Sequence, residues 1–223
     1  MNFFGPNPPH NAKSRATVKP VLTRQDYADA AIILSSEAAI IKAVAAIESN
    51  GEGFLATGEP KILFERHIFS RRTGGIYDYA NPDISNPVPG GYGAAGTNQH
   101  KRLQQAVALN RNAALMSASW GKFQIMGFNY ALAGYNSLQE FITAMYKSER
   151  EHLIAFTRYI ISASLDDELR QKQWTDFARK YNGPDYRKNQ YDSKLEAAYK
   201  KYSTERSIKP AAAKKAILKK EKN

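Results

Sequence analysis

Two glutamates stand where a chain can place an acid and a base. Glu48 follows the apolar residues Ile40, Ile41, Val44, Ala45 and Ile47 and precedes Asn50-Gly51, so it falls in the last turn of a helix. That end of a helix carries partial negative charge, which disfavours a nearby carboxylate and raises its pKa. Exclusion of water by Phe54 and the apolar helix would push the same way, and a carboxylic acid still protonated near neutral pH is what a general acid needs. Glu65 follows the apolar run Ile62-Leu63-Phe64 and ends a short strand, from which it can face Glu48 across a cleft. Glycoside hydrolysis uses such a pair, one group to protonate the leaving oxygen and one to activate water or attack. Each residue also has an ordinary reading: Glu48 as a solvated helix-end residue, Glu65 as an ion-pair partner of Arg66 or Arg71.

Three further stretches carry polar side chains in suggestive company. Ser117-Ala-Ser-Trp-Gly-Lys-Phe-Gln-Ile-Met126 mixes aromatic residues, a glycine and hydrogen-bonding groups. Trp120 or Phe123 can pack on a pyranose face or in the core, and Ser119 and Gln124 can bind sugar hydroxyl and acetamido groups or cap the next helix. Tyr181-Asn182-Gly-Pro184 ends a helix where two polar tips meet exposed backbone. Glu149-x-x-His152 has the spacing of a di-iron helix, but such a site needs two copies and further carboxylates, so no metal is expected.

The elements that must position these residues are mostly helical. Thr23 and Asp26 form a capping box for a helix over 24–35, and Ser35 or Ser36 starts the helix that ends at Glu48. Residues 53–55 and 61–65 flank the turn Ala56-Thr-Gly-Glu-Pro60 and read as a small hairpin. A short helix follows over 66–73, and the proline- and glycine-rich stretch 77–97 reads as a long loop of the kind that often binds ligands. Helices are expected over 98–116, 121–126, 128–134, 138–163, 166–181 and 187–202, with Ser137 and Glu140 as a second capping box. The fold class is α+β, mostly α, with one small hairpin lining a cleft. The organisation is a flexible leader over 1–22, one domain over 23–203 and a cationic tail over 204–223.

Composition narrows the chemistry. With no cysteine among 223 residues, a thiolate nucleophile, a zinc ribbon, an iron–sulfur cluster and a disulfide framework are all excluded. The four histidines form no HxH or HExxH pair, which disfavours a metal hydrolase. Lys and Arg exceed Asp and Glu by 11, and residues 206–223 hold seven basic residues against the single acid Glu221. A polyanion is therefore an expected partner. Nucleic acid is not, because the charge gathers in the tail and no recognised binding motif accompanies it. The N-terminal stretch MNFFGPNPPHNAK has no basic region ahead of an apolar run, so no signal peptide is expected. No stretch reads as membrane-spanning.

Taken together, Ala46-Ile-Glu48-Ser-Asn-Gly-Glu-Gly-Phe54, Pro60-Lys-Ile-Leu-Phe-Glu65-Arg-His-Ile-Phe69, the Ser117–Met126 stretch and Phe177-Ala-Arg-Lys-Tyr-Asn-Gly183 occur in one order. In that order they resemble the N-acetylmuramidase domain of phage endolysins, from about residue 25 to 202. The chain is also similar to the wider lysozyme and lytic transglycosylase superfamily, in which a helix-end Glu, a Ser-x-Gly-x-x-Gln element and a Tyr-Asn-Gly element line the cleft. The resemblance implies a lysozyme-like domain with Glu48 as catalytic acid and Glu65 as the second carboxylate. Ser119, Gln124, Tyr181 and Asn182 carry over as substrate-binding residues of the cleft. It implies peptidoglycan as substrate, cut between N-acetylmuramic acid and N-acetylglucosamine, without a cofactor, by an enzyme expected to be a monomer. Such an enzyme would stay in the host bacterial cytoplasm until released to the wall or periplasm.

Many members of that family carry an N-terminal wall-binding module, for which residues 1–22 are too few. The tail, with Ala213, Ala216 and Ile217 at helical spacing among lysines, can take that part as a cationic amphipathic helix on anionic wall polymer, lipopolysaccharide or membrane. It can equally be a disordered solubilising tail. Two other functions fit the same residues: a lytic transglycosylase leaving 1,6-anhydro ends, and a non-catalytic wall binder.

Overall fold

The computed structural model describes residues 19–49 and 51–204, apart from the side chains of Pro184 and Asp185. Most of the leader, the tail beyond Thr204 and the turn residue Asn50 lie outside the described residues.

Helix α1 (Arg24–Ile33) starts at the expected capping box, where Thr23 Oγ1 accepts from Asp26 N at 3.2 Å and the Asp26 carboxylate accepts from Thr23 N at 2.8 Å. Helix α2 (Ala38–Ser49) is the centre of the molecule. Its apolar residues fall all round its surface, which is the pattern of a helix enclosed on every side. Ile40, Ile41, Ala43 and Val44 are fully buried. Among the described residues no single helix is long and apolar enough to cross a membrane; α1 and α2 together reach that length and composition but bend by 111°.

The small sheet departs from the hairpin expected over 53–65. Strand β1 (Ile62–Phe64) pairs antiparallel with β2 (Ala118–Trp120), in the register Ile62 to Trp120 and Phe64 to Ala118, and β2 pairs with β3 (Ile125–Met126). Residues 53–61 do double back, but only through a lone bridge between Phe54 and Pro60. The segment 121–126, expected as helix, is instead the turn and second arm of the β2–β3 hairpin. Gly121 and Gln124 both take positive φ, +71° and +48°, which a right-handed helix does not accommodate.

Around this sheet lie α3 (Arg66–Thr73), α4 (Thr97–Leu109), α5 (Arg111–Met116), α6 (Leu138–Lys147), α7 (Glu149–Ser162), the single turn α8 (Asp166–Arg170), α9 (Trp174–Asn182) and α10 (Tyr191–Ser203). Three helices expected as continuous are broken, two of them by capping residues and one by a residue of positive φ. Asn110 ends α4 and its side chain accepts from Ala113 N at 3.0 Å to start α5. Ser148 does the same between α6 and α7 through Glu151 N. Lys172, at φ +57°, separates α8 from α9. The loop over 74–96 is irregular, as its proline and glycine content requires. It is not loose: Asp78 accepts hydrogen bonds from Ser70 and Ser85, and Tyr77 donates to the Leu109 carbonyl.

The core runs from α2 through Phe64, Phe69, Trp120 and Phe123 to Phe141, Phe156 and Phe177, all at most 1% exposed. Helix α10 packs along α2, and α9 packs on the β2–β3 turn through Tyr181, whose hydroxyl donates to the Phe123 carbonyl at 2.6 Å. The ends of α2, α9 and α10 therefore meet beside the sheet.

Candidate active site

Glu48 sits in the last turn of α2, as its spacing predicts. It is half-buried, and Asn182 Nδ2 donates to its Oε1 at 2.8 Å. Burial raises its carboxyl pKa from 4.5 to about 7, against the opposing pull of the Asn182 bond. The cause differs in weight from the helix-end argument. The last-turn carbonyl that would repel Glu48 is met by a cation, since Lys61 Nζ donates to Ser49 O at 2.9 Å. Desolvation is what keeps Glu48 protonated.

Glu65 immediately follows β1 and opens α3, with its backbone N–H donating to Ser117 O at 2.9 Å. Its partners are neither Arg66 nor Arg71. Tyr92 Oη lies at donor distance from Oε1, 3.4 Å, and His67 Nδ1 lies 3.2 Å from Oε2. The His67 contact is close but misaligned for a hydrogen bond, and both Nδ1 and Oε2 are buried without a hydrogen-bond partner. Burial pushes Glu65 up and His67 down, the latter helped by Arg71 and Arg66. Both shifts favour the neutral forms, so this contact is not a strong ion pair.

Glu48 and Glu65 converge on a third side chain. Tyr191, the first residue of α10, has its phenol pushed up to about 12, first by burial and then by the charges of Glu48 and Glu65. Tyr181 is raised further, by burial and then by Glu48. One phenol thus feels both carboxylates and a second lies beside the proposed acid.

Ser119 and Gln124 are engaged with each other and with the hairpin. Ser119 Oγ donates to Gln124 Oε1 at 2.7 Å, while Gln124 Nε2 donates to Gly121 O at 2.7 Å and more weakly to Lys61 O. They brace the β2–β3 turn. Asn182, by contrast, keeps a free acceptor: its Oδ1 is buried without a hydrogen-bond partner. The six sequence-predicted residues therefore divide, with Glu48, Asn182 and Tyr181 in one cluster, Glu65 acting with Glu48 on Tyr191, and Ser119 with Gln124 on the hairpin behind which Tyr181 docks.

Sequence reasoning passed over Tyr92, His67, Tyr191 and Lys122. Tyr92 lies in the glycine-rich loop already marked as a binding surface, and His67 and Lys122 lie within recognisable stretches, so each had a positional signal. Tyr191 had none, because an aromatic opening a surface helix looks the same in any protein. Glu149 and His152, weighed above for metal, pack instead around Lys122. Among the described residues no group of three His, Asp or Glu side chains is disposed to hold a metal ion.

No curated protein matches the chain. The crystal structure of Burkholderia AP3 phage endolysin resembles it with a TM-score of 0.74 and 40% sequence identity, over 82% of this chain and 71% of that one. The family model described as N-acetylmuramidase matches residues 37–203. That span takes in both glutamates, the braced hairpin and the Tyr181–Asn182 element, and by it the chain belongs to the N-acetylmuramidase family.

Proposed function

We propose that this muramidase works as an endolysin, cutting peptidoglycan between N-acetylmuramic acid and N-acetylglucosamine, with Glu48 as general acid and Glu65 as the second carboxylate. The observation that carries the assignment is Glu48 itself: half-buried, hydrogen-bonded by Asn182, and held near neutrality to about pH 7. A carboxyl group with that pKa gives its proton to the leaving glycosidic oxygen at the pH where it works. The C–O bond then breaks with positive charge developing on the sugar, which ionised Glu65 stabilises while it takes the proton of the incoming water. The Tyr92 bond favours that ionised form of Glu65, against the burial that raises its pKa. Buried acceptors without a partner at Asn182 and Glu65 are suited to sugar hydroxyl and acetamido donors.

Replacing Glu48 by Gln keeps the shape and the Asn182 contact but removes the proton. Clearing of a purified-wall suspension is expected to fall by about a thousandfold, within the 10²–10⁴-fold usually carried by a general acid. Substantial clearing by that variant would remove Glu48 from the mechanism.

The endolysin reading draws support from the AP3 phage neighbour and carries with it accumulation in the host cytoplasm until the wall is reached. The tail is proposed as the wall-binding part. Its seven basic residues suit an anionic wall polymer or lipid surface, and deletion of 206–223 is expected to weaken sedimentation with walls and flatten its salt dependence. Unchanged binding would contradict it.

A further inference from the structure

Lys122 and Glu149 form a buried ion pair at one side of the loop that follows Glu48. The two side chains are 5% and 3% exposed, with Lys122 Nζ 3.0 Å from each Glu149 oxygen. Neither charge is spent on the other alone. Lys122 Nζ also donates to Gly51 O, and Glu149 Oε1 accepts from Gly53 N at 2.7 Å. Glu149 Oε2 accepts from Leu22 N at 3.0 Å. One ion pair therefore grips two backbone groups within five residues of Glu48 and ties them to the chain just ahead of α1.

His152 completes the assembly. Its Nδ1 accepts from Lys122 N at 3.1 Å, and its Nε2 contacts Met145 O at 2.7 Å. A carbonyl can only accept, so Nε2 carries the proton and the ring is neutral, in keeping with a pKa lowered by burial to about 4. Phe54 stacks on the ring at 4.9 Å. The fit leaves no slack. A Cβ at Gly53 would stand 2.7 Å from His152 Nδ1 and 3.1 Å from the Glu149 side chain, and one at Gly121 would stand 2.8 Å from the His152 ring.

A buried ion pair is weak evidence for stability, because desolvation offsets much of its attraction. Its value here is directional: charged groups fix the backbone at Gly51 and Gly53 more rigidly than apolar packing could. A cavity of about 490 Å³ has Lys122, Glu149, Gly51 and Phe54 on its walls and none of the six candidate site residues. Open space on that side leaves the loop room to shift, and the clamp restrains it there together with the Phe54–His152 stack and the bond from Lys61 N to Gly53 O at 2.9 Å.

We infer that Lys122 and Glu149 are positioning residues for the acid, holding Glu48 at its reacting angle through Gly51 and Gly53. The inference rests on the assignment of Glu48 as the acid. The test compares three variants on soluble glycan oligomers cut from peptidoglycan: E48Q, the double variant Lys122→Met with Glu149→Met, and Gly53→Ala. The double variant replaces both charges by apolar groups of similar length, so no unpaired charge stays buried. Gly53→Ala pushes the loop off Glu149 with every charge in place.

The expected result is a fall in kcat of about a hundredfold for the double variant and for Gly53→Ala, with KM within twofold, as for a reacting group displaced by about an ångström. The basic limb of kcat should also move to lower pH as water reaches Glu48, which lost fold stability alone would not produce. Parental kcat and limb in a folded double variant, or in Gly53→Ala should the double variant fail to fold, would overturn the inference while E48Q remains inactive. Activity in E48Q would instead overturn the assignment beneath it.

Discussion

Asn182 donates a 2.8 Å hydrogen bond to the Glu48 carboxylate across 134 residues of chain. The last turn of α9 is thereby joined to the last turn of α2. The bond favours the ionised acid while burial opposes it, and burial wins, leaving the carboxyl at about 7. A group poised by two opposed effects responds in a known direction when either is removed.

Asn182→Leu removes the donor without opening the site to water. The pKa of Glu48 should rise, because the charged form loses its partner. The basic limb of kcat/KM is then expected to move up by about 0.5 to 1 pH unit, the equivalent of one hydrogen bond of ~1 kcal/mol. A limb that stays or moves down would mean that the bond does not set the acid.

The same poise costs stability, and the sign follows from the direction of the shift. Below pH 4.5 Glu48 is protonated in both folded and unfolded chains, and no cost arises. Between 4.5 and about 7 the unfolded chain ionises there and the folded one does not, so stability is lost as pH rises through that window. E48Q does not titrate. Its advantage over the parent in urea unfolding should be absent at pH 4 and grow to at most roughly 3 kcal/mol by pH 8. A constant difference across the range would contradict the raised pKa.

Tyr92→Phe keeps the ring and removes the hydroxyl near Glu65 Oε1. Glu65 also faces His67, whose ring feels Arg66 and Arg71, and its charge reaches the Tyr191 phenol. The pKa of Glu65 should rise, so activity should be lost at the acid end while the neutral plateau holds. An acid limb unchanged from the parent would separate Tyr92 from Glu65.

Ser119→Ala breaks the latch to Gln124, which holds a positive φ of +48°. The expected effect is a loss of about 1–2 kcal/mol in unfolding free energy with KM unchanged. A raised KM at full stability would return Ser119 to sugar binding.

The helical frame was legible because apolar spacing and capping residues mark helices locally: α2, its end at Glu48 and the Thr23 box all follow from neighbours in sequence. The sheet was not. The partner of Ile62 is Trp120, far along the chain, and nothing in either stretch announces the other. The breaks at Asn110 and Ser148 were hidden because a capping residue inside an apolar pattern reads as one polar position of a longer helix, and the one at Lys172 because a positive φ leaves no mark on a lysine. In the site, the glutamates were legible by type and place. The pairing of Lys122 with Glu149 was not, although both lie in stretches the sequence marks, since a lysine and a glutamate are read as surface residues until packing pairs them. Tyr191 gained its place only from the packing of α10 on α2.

The most direct test is mass spectrometry of fragments released from purified peptidoglycan by the parent and by E48Q, before and after borohydride reduction. The account predicts reducible N-acetylmuramic acid ends from the parent and no fragments from E48Q. Anhydro ends from the parent, or reducible ends from E48Q in comparable yield, would contradict it.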